Sequence, residues 1–239
     1  MPNGKGERKM FKPYVSLLML ISIDGKIDGS FINDYNQELG DYYEELKLEI
    51  SEAWGNGSST HKIYFSDENA YISKYKNSKM DYEDNIVKSE FPYVVSFDTN
   101  GKVKWKDNLL IYPDNIKNQV LVVTTKKSSA EYIAYLKEKK IAYIFAGEEK
   151  IDLNIALDKL YRLFNIKKFA ITGGATINAE FFRENLVDEI MIMIAPFIDG
   201  SKNATISETV DGKSLTKEFK FSEVKKLKNG GLLLIYKKQ

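Results

Sequence analysis

The residues best suited to chemistry meet at Thr172-Gly173-Gly174-Ala175-Thr176, where an apolar run from Lys168 ends and a segment with helical patterning begins. Glycines without a Cβ let the backbone turn sharply and let a ligand come close. The first N–H groups of a following helix have no intrahelical partners and carry the positive end of its dipole, so the junction can cradle an anion. Turn geometry alone also demands such a pair. A second loop, Trp54-Gly55-Asn56-Gly57-Ser58-Ser59-Thr60, follows a short apolar segment and offers glycines and hydroxyls to a phosphate, or simply a turn. A third, Thr124-Thr125-Lys126-Lys127, ends another apolar run. Its hydroxyls and cations suit an adenosine ribose with a 2′-phosphate, although surface lysines are commonly just solvated. None of the three has Walker A or G-x-G-x-x-G spacing. Together they suggest a dinucleotide held by a different arrangement.

The elements that must position these loops follow from periodicity. Residues 14–23 form a continuous apolar run, as in a strand covered on both faces. Tyr42, Leu46 and Ile50 recur at intervals of four and predict a helix over 41–50, followed by a short strand at 53–57. Residues 66–90 are polar and weakly patterned and read as a long excursion carrying little core. Strands are expected at 92–97, 119–125, 141–146, 168–172 and 189–195, and helices at 129–139, 153–164 and 176–183. Strict alternation implies right-handed crossovers and a mostly parallel central sheet between helices. Residues 219–227 and 232–237, around Asn229-Gly230-Gly231, form an antiparallel C-terminal hairpin.

Composition narrows the function. At 239 residues and 43% hydrophobic the chain can bury a sizeable core. A net charge of +1 gives no field for nucleic acid or an anionic membrane. Without cysteine there is no disulfide framework, thiol nucleophile or thiolate metal site, and a single histidine excludes a histidine-rich metal centre. The apolar run at 14–23 is too short for a membrane span and no small-residue cleavage site follows it, so the expected location is cytoplasmic. Residues 1–11 read as a flexible tail and 12–239 as one domain. The lone histidine, His61, reads as a partly exposed surface residue rather than a catalytic one.

Several motifs then converge. Pro13-Tyr-Val, Ser22-Ile-Asp-Gly-Lys-Ile27, Ala53-Trp-Gly-Asn-Gly-Ser-Ser-Thr60, Thr172-Gly-Gly-Ala-Thr-Ile-Asn178, Leu186-Val-Asp-Glu-Ile190 and Ala195-Pro-Phe-Ile-Asp-Gly200 resemble, in order, the signatures of the riboflavin-biosynthesis reductase domain. That domain is the C-terminal half of the bacterial deaminase-reductase and a relative of dihydrofolate reductase. The resemblance implies a three-layer dihydrofolate reductase-like α/β fold, NADPH binding, hydride transfer to a small heterocyclic or sugar-linked substrate, and a homodimer, with residues 190–195 as the expected contact. It places Gly57 and Thr60 in a phosphate loop, Gly173, Gly174, Ala175 and Thr176 at the pyrophosphate, and Thr124 and Thr125 near the adenosine end. Ser22, Asp24 and Gly25 then border nicotinamide and substrate. Asp24 before a glycine also suits a purely structural turn, and a substrate proton can come from water or from Glu44 or Glu45.

The chain also departs from the family. Thr172 stands where the relatives usually carry a substrate-contacting glutamate, and Ser58 where many carry arginine. That leaves 2′-phosphate recognition to Lys126 or Lys127, or makes it weaker. No deaminase domain is expected ahead of residue 12, since its zinc motif needs cysteine. Two alternatives stay open: reduction of another pterin-like or carbonyl compound, and a nucleotide-binding dimer without turnover.

Overall fold

In a computed structural model of the chain, residues 10–29, 37–67, 70–112, 116–228 and 230–239 are described. One ten-stranded sheet carries helices on both faces. Its strands are β1 (Tyr14–Ile21), β2 (Ala53–Gly57), β3 (Tyr93–Phe97), β4 (Leu109–Ile111), β5 (Lys117–Thr124), β6 (Ala142–Phe145), β7 (Lys168–Ile171), β8 (Glu189–Ile194), β9 (Lys220–Lys226) and β10 (Leu232–Lys237). The helices are α1 (Gln37–Ile50), α2 (Ser58–Phe65), α3 (Ala130–Glu138), α4 (Leu153–Leu163) and α5 (Ala175–Arg183). The strand order is β4-β5-β3-β2-β7-β1-β8-β10-β9, with β6 also on β5. The six strands from β5 to β8 in this order and β6 run parallel, while β4, β10 and β9 pair antiparallel.

Alternation along the strands feeds two layers. Val15, Leu17, Met19 and Ile21 of β1 pack under α4 and α5, with Leu153, Leu157, Leu160, Phe181 and Phe182. On the opposite face Leu18 meets Leu39 and Leu46 of α1, and Val120 and Val122 meet Tyr132 and Leu136 of α3. Each such fully buried large side chain is worth about 1.5–3 kcal/mol against exposure. The apolar runs at β1, β3 and β5 are continuous because both faces are covered.

Four expectations need correction. The first helix starts at Gln37 rather than Asp41, and its added turn buries Leu39; Gly40, a poor helix former, hides that turn in the sequence. A further helix, α2, follows β2 directly at Ser58. The excursion at 66–90 contributes more than expected. Its Ile72, Tyr75 and Met80 pack on one core layer and Val87 on the other. It also covers the free edge of β6: Asn85 exchanges two backbone hydrogen bonds with Tyr143 at 2.9 and 3.1 Å, and Asp84 Oδ1 accepts the Phe145 N–H at 2.8 Å and Lys159 Nζ at 3.0 Å. An open edge would otherwise present unpaired backbone groups. Of the expected tail, residues 1–9 lie outside the described residues, while the Phe11 ring stacks on Tyr161 of α4 with centroids 5.5 Å apart.

The fourth correction is His61, which is fully buried beneath α2, 5.2 Å ring to ring from Trp105. It lies on the inward face of a helix that sequence patterning did not reveal. Burial lowers its pKa from 6.5 to about 3, because desolvation disfavours the imidazolium. The unfolded chain therefore takes up a proton near pH 6.5 that the folded chain refuses until about pH 3. Stability should fall as pH drops through that window. Urea midpoints measured against pH should show this slope, and His61→Leu should flatten it; an unchanged slope in the variant would place the acid sensitivity elsewhere.

Candidate active site

In an open parallel sheet, ligands bind outside the carboxyl ends of the strands. Here the ends of β3 and β2 lie side by side and border a cleft of about 700 Å³; β7 adjoins β2, and its Gly173-Gly174 turn lies outside the cleft lining. Gly57, Ser58 and Ser59 line it from the start of α2, Thr176 and Ile177 from the start of α5, and Leu153 and Asn154 from the start of α4. Three helix N-termini thus face one space. The N-terminus of α4 is already capped, since the Asp152 carboxylate accepts the N–H groups of Asn154 and Ile155 at 2.9 and 3.1 Å. Those of α2 and α5 differ. Their N-cap residues, Gly57 and Gly174, make no side-chain cap, and neither helix has an acid in its first turn. Donors and dipole are left for an external anion.

The turn between β7 and α5 is held from β2. Gly57 N–H donates to Gly173 O at 3.0 Å, Thr172 N–H to Gly55 O at 2.9 Å, and Asn56 Nδ2 to Thr172 O at 2.9 Å. Gly173 has φ +107°, and its peptide to Gly174 is cis. A Cβ built on Gly174 would meet nothing within 4 Å. Backbone at this turn therefore opens directly onto free space. The donor set and the open approach fit a diphosphate-bearing dinucleotide.

The other expected residues are placed as follows. Thr60 is half-buried one step further along α2 and does not line the cleft. Thr124 and Thr125 donate their hydroxyls to the carbonyls of Asp98 and Thr99 at 2.7 and 2.8 Å. They hold the end of β3, whose Thr99 lines the cleft, rather than facing it themselves. Lys126 Nζ is 2.7 Å from a Glu148 carboxylate, and Lys127 pairs with Glu149. The Thr172 hydroxyl is 3.3 Å from Gly55 O. The sequence reading missed Lys150, Asp152, Glu180 and Glu184, which all line the cleft. Thr176, Glu180 and Glu184 recur every four residues opposite the apolar face of α5, a pattern that could have identified the stripe.

Ser22 and Asp24 sit at the carboxyl end of β1, on the far side of β7. Asp24 Oδ1 accepts the Ser22 hydroxyl at 2.7 Å and Asp199 N–H at 3.0 Å, and Oδ2 accepts Gly200 N–H at 2.9 Å. These bonds, that of Ser22 foremost, hold its carboxyl well below the usual carboxylate range. Asp24 is thus an ionised clamp that ties its own turn, through Ser22, to the loop after β8, a long-range role beyond the local turn expected of it. Glu44 pairs with the buried Lys47 at 2.5 Å, toward the amino ends of the strands where Lys47 covers the Trp54 ring. Glu45 is exposed on α1.

Residues 72–233 match the model of the RibD C-terminal domain family. The chain belongs to this family. It is 27% identical over 213 residues, 81% of each chain, to a 2,5-diamino-6-ribosylamino-4(3H)-pyrimidinone 5′-phosphate reductase of Aquifex aeolicus. Its fold is that of a pyrimidine reductase-like protein of Corynebacterium diphtheriae, with TM-score 0.66, 18% identity and coverage of 94% of this chain and 91% of that one. The riboflavin biosynthesis reductase Rib7 of Saccharomyces cerevisiae superposes with TM-score 0.65 at 17% identity, over 99% and 94%. As a RibD C-terminal domain the chain is a reductase-class enzyme, and that class points to a nicotinamide cofactor. Among the described residues no helix is long and apolar enough to cross a membrane, and no cluster of side chains suits a metal.

For this RibD-type domain, Asp24→Asn should release the loop at residues 199–203 while the sheet persists. Hydrogen exchange should accelerate at the Asp199 and Gly200 amides and not along β1; unchanged protection of both amides would refute the clamp.

Proposed function

We propose that this chain is an NADPH-dependent reductase of a ribosylamino-pyrimidinone 5′-phosphate, the compound class in the name of the Aquifex relative. The observation that carries the proposal is the pair of uncapped, acid-free helix N-termini of α2 and α5 that line one cleft, with open space at Gly174 where α5 begins. Bound there, a reduced nicotinamide supplies the hydride equivalent. Gly174, Ala175, Ser58 and Ser59 would hold the diphosphate through backbone N–H groups and hydroxyls. The strand order puts the cleft on the β2 and β3 side of this turn and the end of β1 on the other. The cleft therefore suits the adenosine half, and the region of Ser22 suits the reacting end and its substrate. Asp24 keeps the loop at residues 199–200 in place beside it. Its carboxylate is committed and stays ionised, so it does not serve as the proton source.

A second substrate class, a pterin-like or carbonyl compound, is favoured by one observation. The neutral Thr172 stands between β7 and the glycine turn with its hydroxyl directed at Gly55 O. Steady-state NADPH oxidation with pyrimidinone, pterin and carbonyl substrates separates the two, and binding without oxidation of any would leave a nucleotide-binding protein. Gly174→Val should lower dinucleotide affinity by about tenfold or more with its fold retained, because its side chain meets only open space. Normal affinity in that variant would remove the turn from the site.

We also propose a homodimer. Strand β8 is interior, so the expected contact at residues 190–195 has no free edge. The open surface lies beside it. Met19, Ile192, Leu234 and Val224 form one row across β1, β8, β10 and β9, and Leu17, Ile190, Tyr236 and Phe221 form the next. Exposure rises along each row, reaching 51% at Val224 and 54% at Phe221. All seven residues of the edge strand β9 are exposed, three lysines and one glutamate among them. An antiparallel second copy of β9 complements its unpaired backbone edge. Light scattering should give twice the chain mass, and Phe221→Asp should give monomer; a monomeric native protein would refute the assembly.

A further inference from the structure

His61, Ser96 and Trp105 are fully buried beneath α2, and the reductase site uses none of them. Both imidazole nitrogens, the Ser96 hydroxyl and the Trp105 indole N–H have no hydrogen-bond partner among the described residues. Buried polar groups are almost always satisfied. These three also share one place in the fold. The His61 and Trp105 rings lie 5.2 Å apart, centroid to centroid. Ser96 stands in register between Asn56 of β2 and Val122 of β5, on the face of Trp54 and Val94, against which Trp105 and Phe65 of α2 pack. Helix α2 begins at Ser58, straight after the rung that pairs Gly57 with Phe97, and packs on β2 and β3. It therefore folds back over the next rung, the one that holds Ser96, and His61 is its buried residue.

We propose that the fold builds in at least one ordered water here, bridging His61, Ser96 and Trp105. The chemistry of the three groups calls for such a bridge. An indole N–H only donates, a neutral imidazole has one donor and one acceptor, and a hydroxyl does both. A water can accept the indole N–H, donate to the bare nitrogen of His61 and bond the serine hydroxyl, which gives it the three partners typical of a buried water. The indole is not free to seek another partner. Residue 105 is bridged through its backbone to Ser66 at the end of α2, and its carbonyl accepts the Tyr135 hydroxyl. Phe65 flanks the imidazole on its other side, 6.0 Å away, and supplies no hydrogen bond. A larger solute is not suited to the place, because none of the three side chains lines the cleft. Ser58 and Ser59 of the same helix do line it, so the water supports the helix whose start forms one wall.

A high-resolution crystal structure of the full chain tests the proposal directly. It should show density for a water at about 2.7–3.2 Å from at least two of the three groups. In solution, water-selective NMR should give a cross-peak between a long-lived water and the Trp105 indole proton, and His61→Leu, which removes both nitrogens, should abolish it, with circular dichroism confirming the fold. Absence of such density in the native crystal, or direct bonds from His61 to protein groups in its place, would overturn the proposal. So would an indole cross-peak of full strength in the folded His61→Leu variant. The crystal of the native protein decides the matter even if that variant fails to fold, and no outcome depends on a bound nucleotide.

Discussion

The structure depends on the way two neighbouring parallel strands end together. Past the last ladder pair of β2 and β7, the Gly57 amide reaches Gly173 and the Asn56 side chain reaches Thr172. This keeps the starts of α2 and α5 side by side. Each helix start alone is a weak partial charge, screened within a turn. Two starts held rigidly beside one space make a preorganised anion site, because the cost of orienting the donors is met during folding. The rest of the molecule supports that junction. Thr124 and Thr125 fix the end of β3 beside it, and Asp24 fixes the loop beyond β1.

Much of the fold was legible. Parallel alternation, the antiparallel finish and the glycine turn all followed from periods of two and 3.6 and from the residues that break them. The failures were local and have physical reasons. Gly40 disguised the first turn of α1. The helix α2 is short and mixes hydroxyls with aromatics, so its apolar face did not stand out. With α2 unseen, His61 was assigned to the surface, although it is the inward residue of that helix against Trp105.

The site was legible at its backbone and much less so at its side chains. Glycines announce where a chain must turn and where a ligand can approach, because no other residue does that at φ +107°. Charged side chains give no comparable signal. Lys126 and Lys127 looked like phosphate ligands in the sequence, but their charge is met by Glu148 and Glu149, which only the fold brings close. The charged residues that do face the cleft come from the α5 segment and from the loop before α4, segments distant in sequence from the glycine turn's partner loop.

The segment wrapped along β6 has a bearing on solubility as well. With Asn85 bridged to Tyr143, that margin of the sheet has little left to offer another chain, and its companion β4 is only three residues long. Recruitment of foreign strands is thus confined to one flank. A ribbon with a single adhesive flank saturates after one encounter and cannot propagate into a filament.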